Sequence, residues 1–374
     1  MLKISGNGVE KTERPAGPAT VKKEAEQIFL EKILHGFVET EAETDGSLRL
    51  FRVPRALLPK LGTRVRVRCY HPAGGELRFR MGDSPVRFTF RRITEPDHPL
   101  FTRQTAVPVG IFHGDLQYDW FALQEGDNVV EIKPFRAPAG LRSRLRRRFV
   151  TELTRIVLPP FVELRIIGWE GEMEPPRPGD APERQLLAYG SSITQGAYAM
   201  LGTETYPAIL ARELGTDVCN LGFGGGATLE PELAEWVVSR TDWQLATLEM
   251  GVNVFGLAPD EFRAKVRSFL AVFASDPLKR PVFSFDMLPT GGEYSGNMET
   301  VAKAAAFRRI VREETAATGK PFMKTLEYAS LVAGPADFSS DLLHPAIHAF
   351  EKIGCGLAAQ IEAAGSLHAQ AEKA

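Results

Sequence analysis

Three residues in the second half of the sequence have the types and spacing that nucleophilic catalysis needs: Ser192, Asp341 and His344. Ser192 lies in the turn Gly-Ser-Ser-Ile-Thr (190–194), where a hydroxyl at a helix N-terminus would meet N–H groups that favour developing negative charge. Asp341 precedes His344 by three residues, so its carboxylate can fix the imidazole tautomer and leave the other ring nitrogen as a base. The turn alone is explained equally well as a helix cap.

Two further segments contain groups that could stabilise an oxyanion. The stretch Asn-Leu-Gly-Phe-Gly-Gly-Gly (220–226) lets a backbone approach a ligand closely and present its N–H groups. Asn253, in Gly-Val-Asn (251–253), carries a side-chain amide donor. Each segment alone is also typical of a turn. Together with a nucleophile and an Asp–His pair, however, they predict a site for acyl transfer.

The glycine-rich stretch also fits a dinucleotide-binding loop. Gly222, Gly224 and Ala227 match G-x-G-x-x-A, and Glu249 closes the next predicted strand. A Rossmann domain normally opens with this unit, whereas here the unit comes second. We therefore favour acyl transfer and predict no cofactor.

A metal site is a second alternative. His348 follows His344 by four residues, and together with Asp341 they would supply nitrogen and oxygen ligands. The segment offers no obvious further ligand, so we predict no metal.

The elements that must position these residues alternate between strand and helix. Short apolar runs predict five buried strands, at 185–190, 217–223, 244–250, 280–288 and 322–328. Helical segments follow these strands near 204–215, 229–238, 262–273, 299–318 and 345–363. Such alternation predicts an α/β domain whose parallel sheet is covered on both faces. All the candidate residues fall at the carboxyl ends of strands, where such folds carry their chemistry.

The first half of the sequence has a period of two residues. Between about 35 and 170, apolar and polar residues alternate, as in Arg-Val-Arg-Val-Arg-Cys (64–69), which predicts a strand there. Turn residues separate these runs, so we predict antiparallel strands in a β-sandwich or jelly roll. Residues 171–184 contain four prolines and little that could form a core, which is typical of a linker. The predicted parts are an N-terminal extension (1–34), a β-sandwich (35–170), the linker (171–184) and the α/β/α domain (185–374).

Composition limits the partners. The 374 residues correspond to about two domains at roughly 150 residues each. Lys and Arg total 45 against 47 Asp and Glu, a net charge of −2 that gives no basis for nucleic-acid or anionic-membrane binding. Three distant cysteines exclude a disulfide framework, and no apolar run reaches the ~18 residues of a membrane span, so we expect a cytoplasmic protein. We interpret the arginine cluster from Arg142 to Arg148 as solvated surface rather than a site for an anionic partner.

The four segments, in this order, resemble the sequence blocks of the SGNH/GDSL hydrolases over roughly residues 183–365. The turn at 190–194 matches G-D-S-hydrophobic-T with Ser191 in place of Asp, a form that also occurs in carbohydrate-esterase-like branches. Asp341 and His344 match the last block, D-x-x-H, in full.

The two middle blocks concern the oxyanion donors. Gly225 is the best match to the glycine of the second block, within one residue. Gly251 and Asn253 match the third block, G-x-N-D, in which Val254 replaces the Asp. The resemblance implies an oxyanion hole formed by the backbone N–H groups of Ser192 and Gly225 and by the Asn253 side chain.

The resemblance also implies a fold and an activity. The fold is an SGNH-type α/β/α domain with a five-stranded parallel sheet, preceded by a jelly-roll-like β-sandwich as in some bacterial carbohydrate esterases. The activity is that of a serine esterase on short acyl esters, acetyl esters above all, of a carbohydrate or other small alcohol. His344, oriented by Asp341, would take the proton from Ser192. An α/β-hydrolase fits less well, because its G-x-S-x-G elbow follows several strand–helix units. A homo-oligomer is compatible with the sequence.

Two alternative functions remain open. The same residues would make an acyltransferase if another alcohol outcompeted water at the acyl-enzyme. A carbohydrate-binding protein with a degenerate hydrolase domain would use the sandwich aromatics Tyr118, Trp120 and Phe121, although core packing explains these equally well.

Overall fold

The computed structural model of the chain describes residues 18–93, 107–136, 138 and 148–365. Helix α1 (Pro18–Ile33) precedes two antiparallel sheets. Their strands are β1 (Leu34–His35), β2 (Glu39–Ala42), β3 (Leu48–Phe51), β4 (Glu76–Met81), β5 (Val86–Ile93), β6 (Val107–His113), β7 (Leu116–Leu123), β8 (Gly126–Ile132), β9 (Thr154–Val157), β10 (Glu163–Glu170) and β11 (Met173–Glu174). One sheet has the order β1-β4-β9-β6-β7, with β11 also pairing with β4, and the other has the order β2-β3-β10-β5-β8.

The two sheets enclose one hydrophobic core. Phe79 and Ile111 from the first sheet lie in the same buried cluster as Phe88 and Ile166 from the second. Burial along β5 alternates residue by residue, as expected for strands with one face toward a core. The predicted N-terminal β-sandwich is therefore confirmed.

The predicted strand over 64–69 is wrong, because Thr63–Arg68 form helix α2. Val65 and Cys69 are both fully buried. The alternation of apolar residues at 65, 67 and 69 suits one face of a strand. It also places Val65 and Cys69 four residues apart, which is the spacing of one helix face. A run this short therefore satisfies both periods, and packing against the second half of the chain decides between them.

The second half forms a five-stranded parallel sheet, as predicted. Its strands are β12 (Gln185–Gly190), β13 (Asp217–Gly222), β14 (Leu245–Glu249), β15 (Val282–Phe285) and β16 (Met323–Leu326), in the order β13-β12-β14-β15-β16. All neighbouring pairs run parallel. The first of these five strands along the chain, β12, lies between β13 and β14. The loops that follow these three strands therefore meet at one edge of the sheet.

Helices cover both faces of this sheet. They are α3 (Ser192–Gln195), α4 (Tyr206–Glu213), α5 (Pro231–Ser239), α6 (Pro259–Ala274), α7 (Gly291–Tyr294), α8 (Met298–Ala317) and α9 (Ile347–Ala363). Helices α5, α6 and α8 share one buried cluster, and α4 and α9 share another. Across the described ranges, no helix combines the length and hydropathy of a membrane span.

The two halves share buried contacts. Phe51 and Val65 from the first half lie in one hydrophobic cluster with Phe223 from the second. The Arg78 guanidinium donates two hydrogen bonds to the Asp217 carboxylate, at 2.5 and 2.9 Å. Burial, the largest single effect, would raise the pKa of Asp217, but the charge and hydrogen bonds of Arg78 together with the nearby His35 lower it to about 2. A buried ion pair therefore joins β4 of the sandwich to β13 of the parallel sheet.

Part of the predicted linker packs on the sandwich. Strand β11 pairs with β4. The Asp180 carboxylate accepts a hydrogen bond from Arg80 Nε at 2.7 Å. The exact domain boundaries stay a prediction.

Candidate active site

The structure brings Ser192, His344 and Asp341 together at the carboxyl edge of the parallel sheet. Ser192 is the first residue of α3, and its Oγ lies 2.7 Å from His344 Nε2. His344 Nδ1 lies 2.7 Å from Asp341 Oδ2. Because a carboxylate can only accept, Nδ1 carries the proton and Nε2 accepts the hydrogen bond from the serine hydroxyl. This is the geometry of a nucleophile, a general base and an orienting acid.

The Asp341 carboxylate is held by further donors in its own loop. Its Oδ1 accepts from the backbone N–H groups of His344 and Leu343, both at 3.0 Å, and from Ser339 Oγ at 2.7 Å. Burial would raise the pKa of Asp341, but these hydrogen bonds and the one to the imidazole lower it to about 2. The carboxylate is therefore charged at neutral pH and can stabilise a protonated His344.

A buried carboxylate accepts hydrogen bonds from the turn that contains Ser192. Glu249, 3% exposed, accepts from Ser191 N at 3.0 Å, Ser191 Oγ at 2.6 Å and Thr194 Oγ1 at 2.5 Å. Ser191 Oγ in turn accepts from Ile193 N at 3.1 Å and so caps α3. Sequence reasoning considered Glu249 only as a dinucleotide-binding acid. Its position at the end of β14, which lies beside β12, is the feature from which a contact with the turn of Ser192 could have been predicted.

The glycine-rich loop packs directly against α3. A Cβ added at Gly222 would lie 2.1 Å from Gln195 N, so only glycine allows this close approach. Gly224 N donates to Gln195 Oε1 at 2.7 Å. Since Gln195 ends the helix that Ser192 begins, the loop is tied to the helix of the candidate nucleophile.

The two predicted oxyanion donors lie on either side of the strand that leads to the serine. Gly225 follows β13, is exposed and has φ +71°. Asn253 follows β14, and its Oδ1 accepts from Ala227 N at 3.0 Å. Because the amide is planar, this bond turns the Nδ2 donor to the opposite side. Gly225 is thus exposed and Asn253 half-buried at the edge of the sheet that also carries Ser192.

A buried arginine that sequence reasoning missed holds the strand that leads into this loop. The Arg52 guanidinium is 0% exposed, and burial lowers its pKa to about 10. Its four acceptors are all backbone carbonyls: His71 at 2.6 Å, Arg68 at 2.7 Å, Asn220 at 2.8 Å and Gly222 at 2.9 Å. Arg52 thus ties the segment after α2 to the end of β13. No local pattern distinguishes this arginine in the sequence.

Tyr198 is a second residue without a sequence signal. Its ring centroid lies 5.6 Å from that of His344, and its hydroxyl lies 3.4 Å from Asp341 Oδ2. Tyr198 has φ +71°, a conformation uncommon outside glycine. The loop after α3 therefore brings an aromatic ring against the Asp–His pair.

The residues of the rival metal and dinucleotide sites have other partners. His348 Nε2 lies 3.1 Å from Asp337 Oδ1 and does not join the Asp341–His344 pair. Within the described part of the chain, no three His, Cys, Asp or Glu side chains are grouped to hold a metal ion. Glu249 is engaged by the serine turn and is not placed to accept from a ribose.

The sandwich aromatics separate into two environments. Tyr118 and Trp120 are 40% and 59% exposed on β7, an edge strand. Phe121 is packed against the sandwich core. Of the arginine cluster, the residues from 142 to 147 lie outside the described residues, and Arg148 N donates to the Asp115 carboxylate at 2.9 Å.

Solved structures with the same architecture include the following three proteins. The salicylyl-acyltransferase SsfX3 from a tetracycline biosynthetic pathway is 17% identical, with a TM-score of 0.74 over 89% of this chain and 95% of that one. A GDSL-like lipase from Bacteroides ovatus is 19% identical, with a TM-score of 0.68 over 88% and 95%. A family two carbohydrate esterase from Cellvibrio japonicus is 15% identical, with a TM-score of 0.52 over 90% and 96%. At these identities the likeness establishes a shared fold. No curated protein matches the sequence.

The parallel α/β sheet behind an N-terminal β-sandwich is the fold that this chain shares with these three proteins. Residues 188–349 match the model of the GDSL-like lipase/acylhydrolase family, a match that supports a carboxylic ester hydrolase. The resemblance read from the four sequence blocks is thereby confirmed.

Proposed function

We propose that the protein is a serine esterase in which Ser192, His344 and Asp341 act as a triad. One observation carries the proposal: the two 2.7 Å contacts that join Ser192 Oγ to His344 Nε2 and His344 Nδ1 to Asp341 Oδ2. This chain of contacts allows the imidazole to accept the serine proton as the hydroxyl attacks an ester carbonyl. The Asp341 charge then stabilises the imidazolium.

The tetrahedral intermediate needs donors for its oxyanion. The backbone N–H groups of Ser192 and Gly225 and the Asn253 side chain are the groups proposed for this role. The protonated His344 returns its proton to the leaving alcohol, and the acyl group stays on Ser192. Water, activated by the neutral imidazole, then releases the carboxylic acid and restores the serine.

Short acyl esters, above all acetyl esters of a carbohydrate or other small alcohol, are the proposed substrates. The fold shared with the Cellvibrio japonicus carbohydrate esterase over 90% of this chain supports this choice. An acyl series from acetate to decanoate on p-nitrophenol, with acetylated sugars included, tests it. A rate that falls steeply beyond butyrate supports the carbohydrate-esterase branch, whereas a maximum at octanoate or decanoate would favour a lipase.

The nucleophile is tested by covalent labelling. A fluorophosphonate should modify Ser192 alone and abolish p-nitrophenyl acetate hydrolysis in proportion to labelling, because only a serine activated by a base attacks the phosphorus readily. Peptide mapping by mass spectrometry identifies the labelled residue. Inhibition that accompanies labelling of another residue while Ser192 stays unmodified, or labelling of Ser192 without inhibition, contradicts the proposal.

Acyl transfer to an alcohol is the second candidate function. The acyltransferase SsfX3 shares the fold with a TM-score of 0.74, which specifically favours this candidate. The triad chemistry is the same up to the acyl-enzyme, and the acceptor decides the product. Product analysis with p-nitrophenyl acetate and an added sugar or polyol separates the two: an acetylated acceptor supports transfer, and acetate alone supports hydrolysis.

Asn253→Ala should lower kcat by about 10²–10³ while KM changes little, because an oxyanion donor acts mainly in the transition state. The measurement is steady-state hydrolysis of p-nitrophenyl acetate, with the melting temperature checked because Asn253 also accepts from Ala227. Asn128→Ala, in β8 of the sandwich, is the matched control and should keep the wild-type kcat. A kcat for Asn253→Ala within threefold of wild type would exclude this amide from the oxyanion hole.

A further inference from the structure

An arginine of the first half of the chain lies over the proposed oxyanion loop. A Cβ added at Gly225 would lie 3.7 Å from both Cγ and Cδ of Arg64 and 3.9 Å from its Nε. Arg64 belongs to α2, the helix where a strand was expected from the alternating sequence. The Arg64 side chain therefore lies next to the glycine proposed to bind the oxyanion.

The packing of α2 fixes this placement. Val65, the next residue, is fully buried in a cluster with Phe223 at the start of the loop. A Cβ at Gly226 would lie only 3.0 Å from Val65 N, so the helix backbone and the loop are in close contact. Arg64 is thus carried by a segment that is itself held against the site.

Among the described residues, Arg64 has no hydrogen-bond, ion-pair or cation–π partner. Its side chain is exposed. Arg66, exposed on the same helix, donates instead to Thr63 Oγ1 at 3.0 Å. A cation with all its donors available beside an ester-binding site is suited to bind an anionic group by charge-assisted hydrogen bonds.

We propose that Arg64 is a specificity residue that binds a carboxylate on the substrate, so that the preferred esters are anionic. The inference rests on the proposed esterase function and adds the substrate's charge to it. Arg64 would hold the carboxylate while the ester carbonyl points to Gly225. The carboxylate belongs either to the acyl group or to the alcohol, and the two are separated by the substrates chosen.

The test compares two pairs of esters. Mono-p-nitrophenyl succinate against p-nitrophenyl butyrate places the carboxylate on the acyl group, and 4-acetoxybenzoate against phenyl acetate places it on the alcohol. Wild type, Arg64→Gln, Arg64→Lys and the control Arg66→Gln are assayed for kcat/KM on all four. The readout is the ratio of anionic to neutral kcat/KM within each pair.

We expect Arg64→Gln to lower this ratio about 10- to 100-fold for one pair, mainly through KM, the size typical of a hydrogen bond to a charged group. Arg64→Lys should recover part of the ratio, and rising salt should raise the wild-type KM for the anionic ester. The control Arg66→Gln should keep both wild-type ratios. The pair that responds shows which part of the ester carries the carboxylate.

The inference is overturned if Arg64→Gln leaves both ratios within twofold of wild type, or if Arg66→Gln lowers them equally. If wild type is still active and Ser192→Ala is inactive in that case, the result excludes only the proposed role of Arg64. The proposed esterase function is then unaffected. If wild type hydrolyses none of the four esters, the proposed function fails and this inference fails with it.

Discussion

Ser192→Ala is expected to lower kcat for p-nitrophenyl acetate by a factor on the order of 10⁴ or more. The substitution removes the only atom that could form the acyl-enzyme, while the donors for the oxyanion and the Asp341–His344 pair remain. The residual rate should come from these groups and from bound water. Stopped assays with purified protein and an uncatalysed blank measure it.

A serine-to-alanine substitution outside the site is the control for the loss of activity in Ser192→Ala. Ser330→Ala removes an exposed hydroxyl that donates to the Glu327 carbonyl and should keep wild-type kcat. The double variant Ser192→Ala/His344→Ala should be no slower than Ser192→Ala alone, because residues that act as one unit are not additive. A Ser192→Ala enzyme with more than a tenth of the wild-type kcat would contradict the proposed nucleophile.

Arg52→Met should destabilise the protein by about 4 kcal/mol or more, because it leaves several buried carbonyls without their donor. The guanidinium makes all its hydrogen bonds to backbone oxygens at 2.6 to 2.9 Å, and methionine fills similar volume without a donor. Because one of these oxygens belongs to Gly222, the loop that carries Gly225 should shift as well. We therefore expect kcat to fall in the folded variant.

Urea denaturation followed by tryptophan fluorescence measures the change in unfolding free energy. Arg55→Met is the control: Arg55 lies three residues later, is half exposed and pairs with Glu41 at the surface, so its loss should cost about 1 kcal/mol or less. An Arg52→Met protein as stable as the control would mean that water satisfies these carbonyls.

The local sequence pattern was enough to predict most of the strands and helices in the second half of the chain. Strands such as β12 and β14 are short apolar runs between amphipathic helices, and burial of their side chains on both faces follows from that composition. The Asp341–His344 contact was likewise predictable, since three residues of one loop determine it. Over 64–69 the same method failed, because six residues cannot separate a period of two from one of 3.6.

Other features depend on which strands and helices become neighbours. Ser192 and His344 are 152 residues apart, and the loop after β16 brings His344 to the serine at the end of β12 although β14 and β15 lie between these strands. Glu249 reaches the serine turn because β14 lies next to β12. In each case a strand end could be proposed from the sequence, but its partner follows from the strand order.

The contacts of two arginines in the first half depend only on the tertiary structure. Arg52 and Arg64 lie in ordinary sequence, and their significance comes from docking against a strand end and loop 161 to 170 residues later. Hydrophobic periodicity records which face of an element is buried, but not which distant backbone carbonyls a guanidinium will meet. The sequence therefore specified the strands and helices of the second half and the types of residue at the strand ends. The packing of the two halves decided which side chains complete the site, because those contacts are set by the geometry of docking rather than by any local pattern.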